Sequence, residues 1–199
     1  MPRQVDHEGR RLRIARAVFD LVAERGLEGA TLRDAAARAG VSMGAVQRCF
    51  STKEEMMAFV LEHMNQRVTD RIEEGIAASA DPGSAMTMLE HTLAGIVPLD
   101  GPSTAEARVW LAFAAQAAVD PRSAGLQRRQ YDRLAELVAL LVRTARDSGD
   151  VRSDVDPERE ADALIALTDG LNVQLLFGRF TPEAAREALR HRLHALRAD

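Results

Sequence analysis

Residues 31–53 read TLRDAAARAGVSMGAVQRCFSTK, and this order of caps, small residues and one glycine turn decides the fold. Thr31 opens a run of helix formers, with Asp34 three residues on as a near-capping box. Gly40 stops that run after about two turns, as a residue able to take a left-handed conformation does. Ser42 caps a second short segment that ends near Phe50. Ala35, Ala36 and Ala39 are small enough for two helices to cross closely, and Val41, Val46 and Phe50 can anchor the second onto the first. A short helix, a glycine turn and another short helix make a helix-turn-helix. Its second helix is expected to expose Met43, Gly44, Ala45, Gln47 and Arg48. A helix of this width enters the major groove of duplex DNA, where Arg and Gln bond base edges and small residues allow close approach. Its free N-terminal amides suit a phosphate.

Upstream, Ile14, Ala17, Val18, Leu21 and Val22 recur at helical spacing until Gly26. Downstream, Thr52 and Glu55 form a T-x-x-E capping box that opens a long helix in which Met56, Phe59/Val60, His63/Met64, Arg67/Val68 and Ile72 follow one stripe. Breaks follow at Asp81-Pro82-Gly83 and between Pro98 and Pro102, with Ser103 and Glu106 read as the next cap. Asp120-Pro121 is a further break, followed by a long helix from about Arg122 to Asp147, and Asp156-Pro157 and Thr181-Pro182 start the last two helices with proline at the first position. The pattern predicts an all-α chain of about nine helices, divided into a head over residues 1–53 and a helical bundle over residues 54–199.

Composition agrees with that reading. The 199 residues are 46% hydrophobic and 28% charged, which excludes a disordered or collagen-like chain. No apolar run approaches the roughly 18 residues of a membrane span, and no secretory signal is visible, so a soluble cytoplasmic protein without a membrane partner is expected. A single cysteine, Cys49, excludes an intramolecular disulfide and a multi-cysteine metal site. Residues 1–53 carry ten Lys/Arg against six Asp/Glu, on a chain whose net charge is −4. A basic end on an acidic body points to a polyanion partner at that end.

Enzymatic readings find little support. The Glu-x-x-His pairs of di-iron bundles are absent, as are a phosphate-cradling glycine loop and a serine nucleophile elbow. His191 and His194 lie three apart but have no evident third ligand, and Cys49 has no neighbouring His to activate it. Neither a metal nor a cofactor is expected.

Residues 10–65 resemble the DNA-binding domain of the TetR family of transcriptional repressors. The resemblance rests on IARAVFDLVAERGLEGATLRDAAARAGVSMGAVQRCFSTKEEM, with Gly26, Thr31, A-x-x-A-G-V-S, Gly44, Phe50 and Lys53 at the matching places. Residues 103–197 faintly resemble the BetI-like C-terminal type. Two positions depart from the family pattern, Gln47 for the usual Tyr and Cys49 for the usual His. The resemblance implies that Lys53 meets a backbone phosphate, that Thr31 and Ser42 present donors to phosphate, and that Arg33 and Arg48 contact bases or backbone. Met43 and Ala45 are then placed to touch a thymine methyl.

The resemblance also implies that the larger domain dimerises and binds a small inducer. Leu164, Leu167, Leu171 and Leu175, with Ala185, Leu189 and Leu193, read as half of an intermolecular four-helix bundle; packing within one chain is the alternative. Met64, Met86, Met88, His91, Trp110, Phe113, Gln116, Tyr131 and Asn172 are the candidate pocket lining, or else ordinary core. The expected function is a dimeric repressor on a palindromic operator, released by a small molecule. A constitutive or partner-controlled regulator is the alternative, and a helical-bundle enzyme a remote one.

Overall fold

A computed structural model describes residues 2–198. Among them the elements are helices throughout: α1 (Pro2–Arg25), α2 (Leu32–Ala39), α3 (Met43–Cys49), α4 (Lys53–Ala77), α5 (Ala85–Gly95), α6 (Gly101–Ala117), α7 (Pro121–Asp147), α8 (Pro157–Leu176) and α9 (Pro182–His194). The described residues contain no strand, only a single antiparallel bridge between Val151 and Arg197. No helix among them is long and apolar enough to cross a membrane.

The helix starts follow side-chain chemistry. Ser84, Asp120, Asp156 and Thr181 each accept an amide hydrogen bond from the third residue of the helix they open. The start of α6 corrects the expectation that Ser103 is the cap. Asp100 caps instead, accepting the Ser103 amide at 2.8 Å, while the Ser103 side chain meets the Asp100 amide at 3.0 Å. Pro102 falls inside the first turn, where its missing N–H costs nothing, so the helix begins earlier than the proline suggests.

The chain forms two compact units, one of residues up to 67 with 108–113 and the other of residues 68–107 with 114 onward. In the first, α1 packs on α2 and α3. Ile14, Val18, Leu21, Val46, Phe50, Met56 and Val60 fill its core with Val109. In the second, α5, α7, α8 and α9 share a core of Leu89, Leu93, Val138, Val142, Leu164, Leu189 and Leu196. Within it, α4 and α5 pass closely at two glycines. A Cβ on Gly95 would lie 2.3 Å from Ile72 Cγ1, and one on Gly75 would lie 2.8 Å from His91 Nδ1. Arg71 of α4 forks onto Glu106 of α6 at 2.7 and 3.3 Å and donates to the Gly95 carbonyl at 3.1 Å.

The leucines expected at a dimer interface are mostly spent inside the chain. Leu164, Leu171, Ala185, Leu189 and Leu193 are at most 4% exposed, and Leu167 and Leu175 are half-buried against the same core. The apolar stripe of α8 and that of α9 face α5 and α7, so these residues have almost no surface left for a partner. Besides Glu158, Arg159 and Asp162, α8 leaves exposed a row of small residues, Ala163, Ala166 and Gly170, and Phe177 just past its end is 73% exposed.

Candidate nucleic-acid interface

The first unit presents α3 on a frame whose turns are each fixed locally. Thr31 Oγ1 accepts the Asp34 amide at 3.1 Å and donates its proton to Asp34 Oδ2 at 2.5 Å. That bond holds the Asp34 carboxyl below the usual aspartate range. Gly40 sits at φ +64°, a conformation that favours glycine, and its amide returns to the carbonyls of Ala36 and Ala37. Ser42 Oγ accepts the Ala45 amide at 3.2 Å and starts α3. Val46 and Phe50 are buried and hold the helix down. Arg38 locks α2 to the end of α1 through a two-pronged bond to Glu24, both prongs 2.7 Å.

This frame leaves Arg33, Ser42, Met43, Gln47, Arg48 and Lys53 exposed and Gly44 half-buried. The Arg48 guanidinium folds back over Gly44, lying 3.6 Å from where a Cβ would be. Lys53 Nζ reaches the Leu27 carbonyl at 3.4 Å, a long bond that a phosphate can displace. Ala45 is a correction: it is 7% exposed, not displayed. In a helix of seven residues the inward arc is taken by Ala45, Val46 and Cys49, which lie within about 100° of one another. Cys49 is likewise buried, so its thiol presents no donor to a phosphate. Thr31 keeps its amide for such a contact, but its hydroxyl proton is committed to Asp34.

The residues expected to line a ligand pocket divide between the two units. Met64, Trp110 and Phe113 belong to the first unit, where Met64 is core and the two aromatics are half-buried. In the second unit Met86 is core, Met88 is half-buried against that core, His91 covers Gly75 and Gln116 is exposed. Asn172 is buried, with its Oδ1 lacking a hydrogen-bond partner among the described residues. Tyr131 does line a cleft, of about 280 Å³, with Asp132, Ala135, Asp162, Ile165, Ala166 and Asp169. Its hydroxyl donates to Asp169 Oδ2 at 2.8 Å. Burial nevertheless pushes the Asp169 carboxyl above the usual aspartate range, the tyrosine bond offsetting only part of that. The sequence reading missed the three aspartates. Asp162 and Asp169 are seven apart on one helix face, but nothing in the sequence ties that face to Tyr131, 38 residues away. No group of three or more His, Cys, Asp or Glu residues suited to a metal ion occurs among the described residues.

Comparison with known proteins fits this geometry. The profile of bacterial regulatory proteins of the tetR family matches residues 14–59, and that of the BetI-type transcriptional repressor C-terminal domain matches residues 85–198. The chain belongs to the TetR family. Its relatives are transcriptional regulators and not enzymes, and its helix-turn-helix head is the family's DNA-binding domain. The HTH-type transcriptional regulator PksA of Bacillus subtilis (strain 168) is 34% identical over 86% of this chain and 80% of its own. Among solved TetR-like structures, a transcriptional regulator from Rhodococcus sp. Rha1 superposes with a TM-score of 0.78 at 32% identity, covering 94% of this chain and 95% of that one. A putative transcriptional regulator from Saccharomonospora viridis, solved in complex with choline, gives a TM-score of 0.84 at 26% identity, over 95% of this chain and 98% of that one.

Proposed function

We propose that this TetR-family protein is a cytoplasmic, homodimeric repressor that reads a palindromic operator through α3 and is released by a small organic cation. The observation that carries the DNA-reading part is the exposed row of Met43, Gln47 and Arg48 on a helix capped and anchored at both ends. Arg48 and Gln47 face base edges, while Arg33, Lys53, the Ser42 hydroxyl and the free amides at the start of α3 meet phosphates. Residues 1–53 act as the reading head and residues 54–199 as the sensing and dimerising body. Two heads on one DNA face need half-sites about 34–36 Å apart. The partner meets the exposed small-residue row of α8, Ala163, Ala166 and Gly170, with Ala184 of α9, where backbones can approach closely.

The cation reading rests on the cleft of Tyr131, Asp132, Asp162 and Asp169, an aromatic face beside three carboxylates. The solved relative holding choline supports the same class. Its volume is near the lower end of ligand pockets, which suits a small molecule. α4 runs unbroken from Lys53 to Ala77, and a ligand that favours one placement of this helix would alter operator affinity without touching α3.

The test is a salt titration of binding to promoter DNA flanking the protein's own gene, repeated with choline chloride. A steep linear fall of log K with log salt, one or two dimers per palindrome and weakening by choline are expected. Binding that choline leaves unchanged, with no heat of choline binding by calorimetry, removes the cation and favours a constitutive or partner-controlled regulator. Binding no tighter than to random duplex removes the operator reading.

A further inference from the structure

We infer that Arg11 is a positioning residue for DNA recognition: clamped between two aromatic rings and Glu55, it fixes the α3–α4 turn that presents Arg48 and Lys53. The inference rests on the DNA-binding role of the head. Arg11 lies on α1, yet its guanidinium carbon sits 4.7 Å from the centre of the Phe50 ring and 4.6 Å from that of Phe59. The two rings are themselves 5.5 Å apart and tilted by 59°, so the guanidinium meets both from one notch. Phe50 is the residue that ends α3, and Phe59 lies on α4. One Arg11 Nη then reaches Glu55 Oε1 at 3.4 Å.

Glu55 is the second half of the device. Its other oxygen, Oε2, accepts the Ser51 amide at 2.8 Å, and its own amide donates to Thr52 Oγ1 at 3.0 Å. Of the two residues between Phe50 and Lys53, Ser51 is therefore held by a carboxylate that Arg11 holds in turn, and Thr52 by the Glu55 amide. Arg11 Nε is buried without a hydrogen-bond partner, a cost consistent with a side chain kept in place for its charge and its flat shape. The Arg11 side chain is 28% exposed, and its guanidinium is turned to the two rings and Glu55. A cation stacked on two partly desolvated rings is held more firmly than a surface ion pair. Lysine, a compact strongly hydrated charge, cannot fill the notch in the same way.

The experiment compares the full-length wild type with Arg11→Met, Arg11→Lys and Glu55→Gln on a duplex recovered by the wild-type protein from a random-sequence pool. Arg11→Met keeps the length of the side chain but loses the charge and the Glu55 contact; about tenfold weaker binding is expected, with Arg11→Lys between it and wild type. The slope of log K against log salt should stay at the wild-type value, because no phosphate contact is lost. A slope smaller by about 0.9 makes Arg11 itself a phosphate ligand and overturns the inference. Unchanged affinity overturns it too. Hydrogen exchange at the Ser51 amide provides a readout independent of DNA, and of the recovery of any duplex. Faster exchange there in Arg11→Met, with the α1 core amides still protected, supports the clamp; unchanged Ser51 exchange refutes it. If Arg11→Met does not fold, Glu55→Gln is decisive, since it keeps an oxygen for Ser51 while weakening the hold of Arg11. It should then show slightly faster Ser51 exchange and binding weakened severalfold, and wild-type values for both refute the clamp.

Discussion

Replacing Arg71 by Met tests how the second unit holds its segment of α4. Arg71 makes two bonds to Glu106, at 2.7 and 3.3 Å, and one to the Gly95 carbonyl at 3.1 Å. The Glu106 side chain is only 6% exposed, while that of Arg71 is 33% exposed. The bond to Glu106, reinforced at longer range by Asp100, raises the already high pKa of the guanidinium, which stays charged throughout. The two partners therefore differ in what their removal leaves behind. Without Arg71 a buried carboxylate loses the charge that offsets its desolvation, a loss of about 3–5 kcal/mol for a fully buried pair. Solvent screening at the part-exposed guanidinium reduces this to roughly 2–3 kcal/mol. Glu106→Gln instead keeps one acceptor oxygen and leaves a cation that can turn to water, so a loss of about 1–2 kcal/mol is expected. Urea unfolding followed by helical circular dichroism at pH 7, at one fixed chain concentration, measures both. The double variant Arg71→Met with Glu106→Leu should recover most of the loss, since apolar replacement of a buried pair is often near neutral. Equal, small losses below about 0.5 kcal/mol for both single variants would mean that water reaches Glu106, and would refute the reasoning.

Arg48→Ala should weaken operator binding by about 1–3 kcal/mol and relax discrimination at one base position, whereas Lys53→Ala should weaken all sequences alike and reduce the salt slope by about 0.9; fluorescence anisotropy on operator and mutated duplexes separates the two. Leu164→Ala, at a side chain that is 0% exposed, should lower unfolding stability by about 2–5 kcal/mol while sedimentation equilibrium shows the association state unchanged. Selective loss of association would instead return Leu164 to the subunit interface. Because the folded pKa of Asp169 is raised, its contribution to stability is fully present below the unfolded aspartate pKa and is lost as pH rises through the folded value. Asp169→Asn should therefore gain stability relative to wild type at pH 7 and not at pH 3.5, and a pH-independent difference in melting temperature would contradict that sign.

Local chemistry was legible in the sequence, and long-range chemistry was not. Thr31, Gly40 and Ser42 mark α2 and α3 because a cap or a left-handed turn is decided within four residues. At α6 the same rule admits two residues, since Ser103 and Asp100 both qualify as caps by type and only the geometry selects Asp100. Apolar periodicity identified the buried faces of α8 and α9 but could not say whose core they enter. Leu164 and Leu189 would show the same spacing facing α5 of their own chain or a second subunit. Ala45 faces inward because a seven-residue helix commits three of its residues, Ala45, Val46 and Cys49, to anchoring. Arg11 with Glu55 in the first unit, and Arg71 with Glu106 and Tyr131 with Asp169 in the second, join residues 44, 35 and 38 apart, and no local pattern announces such pairs.

The burial of Cys49 gives the protein a thiol clock. It is the sole sulfhydryl in the sequence and is 4% exposed, in the inward arc of the helix proposed to read DNA. A small alkylating probe can reach that sulfur only when α3 lifts from the first unit, so the labelling rate counts those openings directly. Bound operator should slow the clock if it clamps α3 in place, and no substitution has to be introduced to read it.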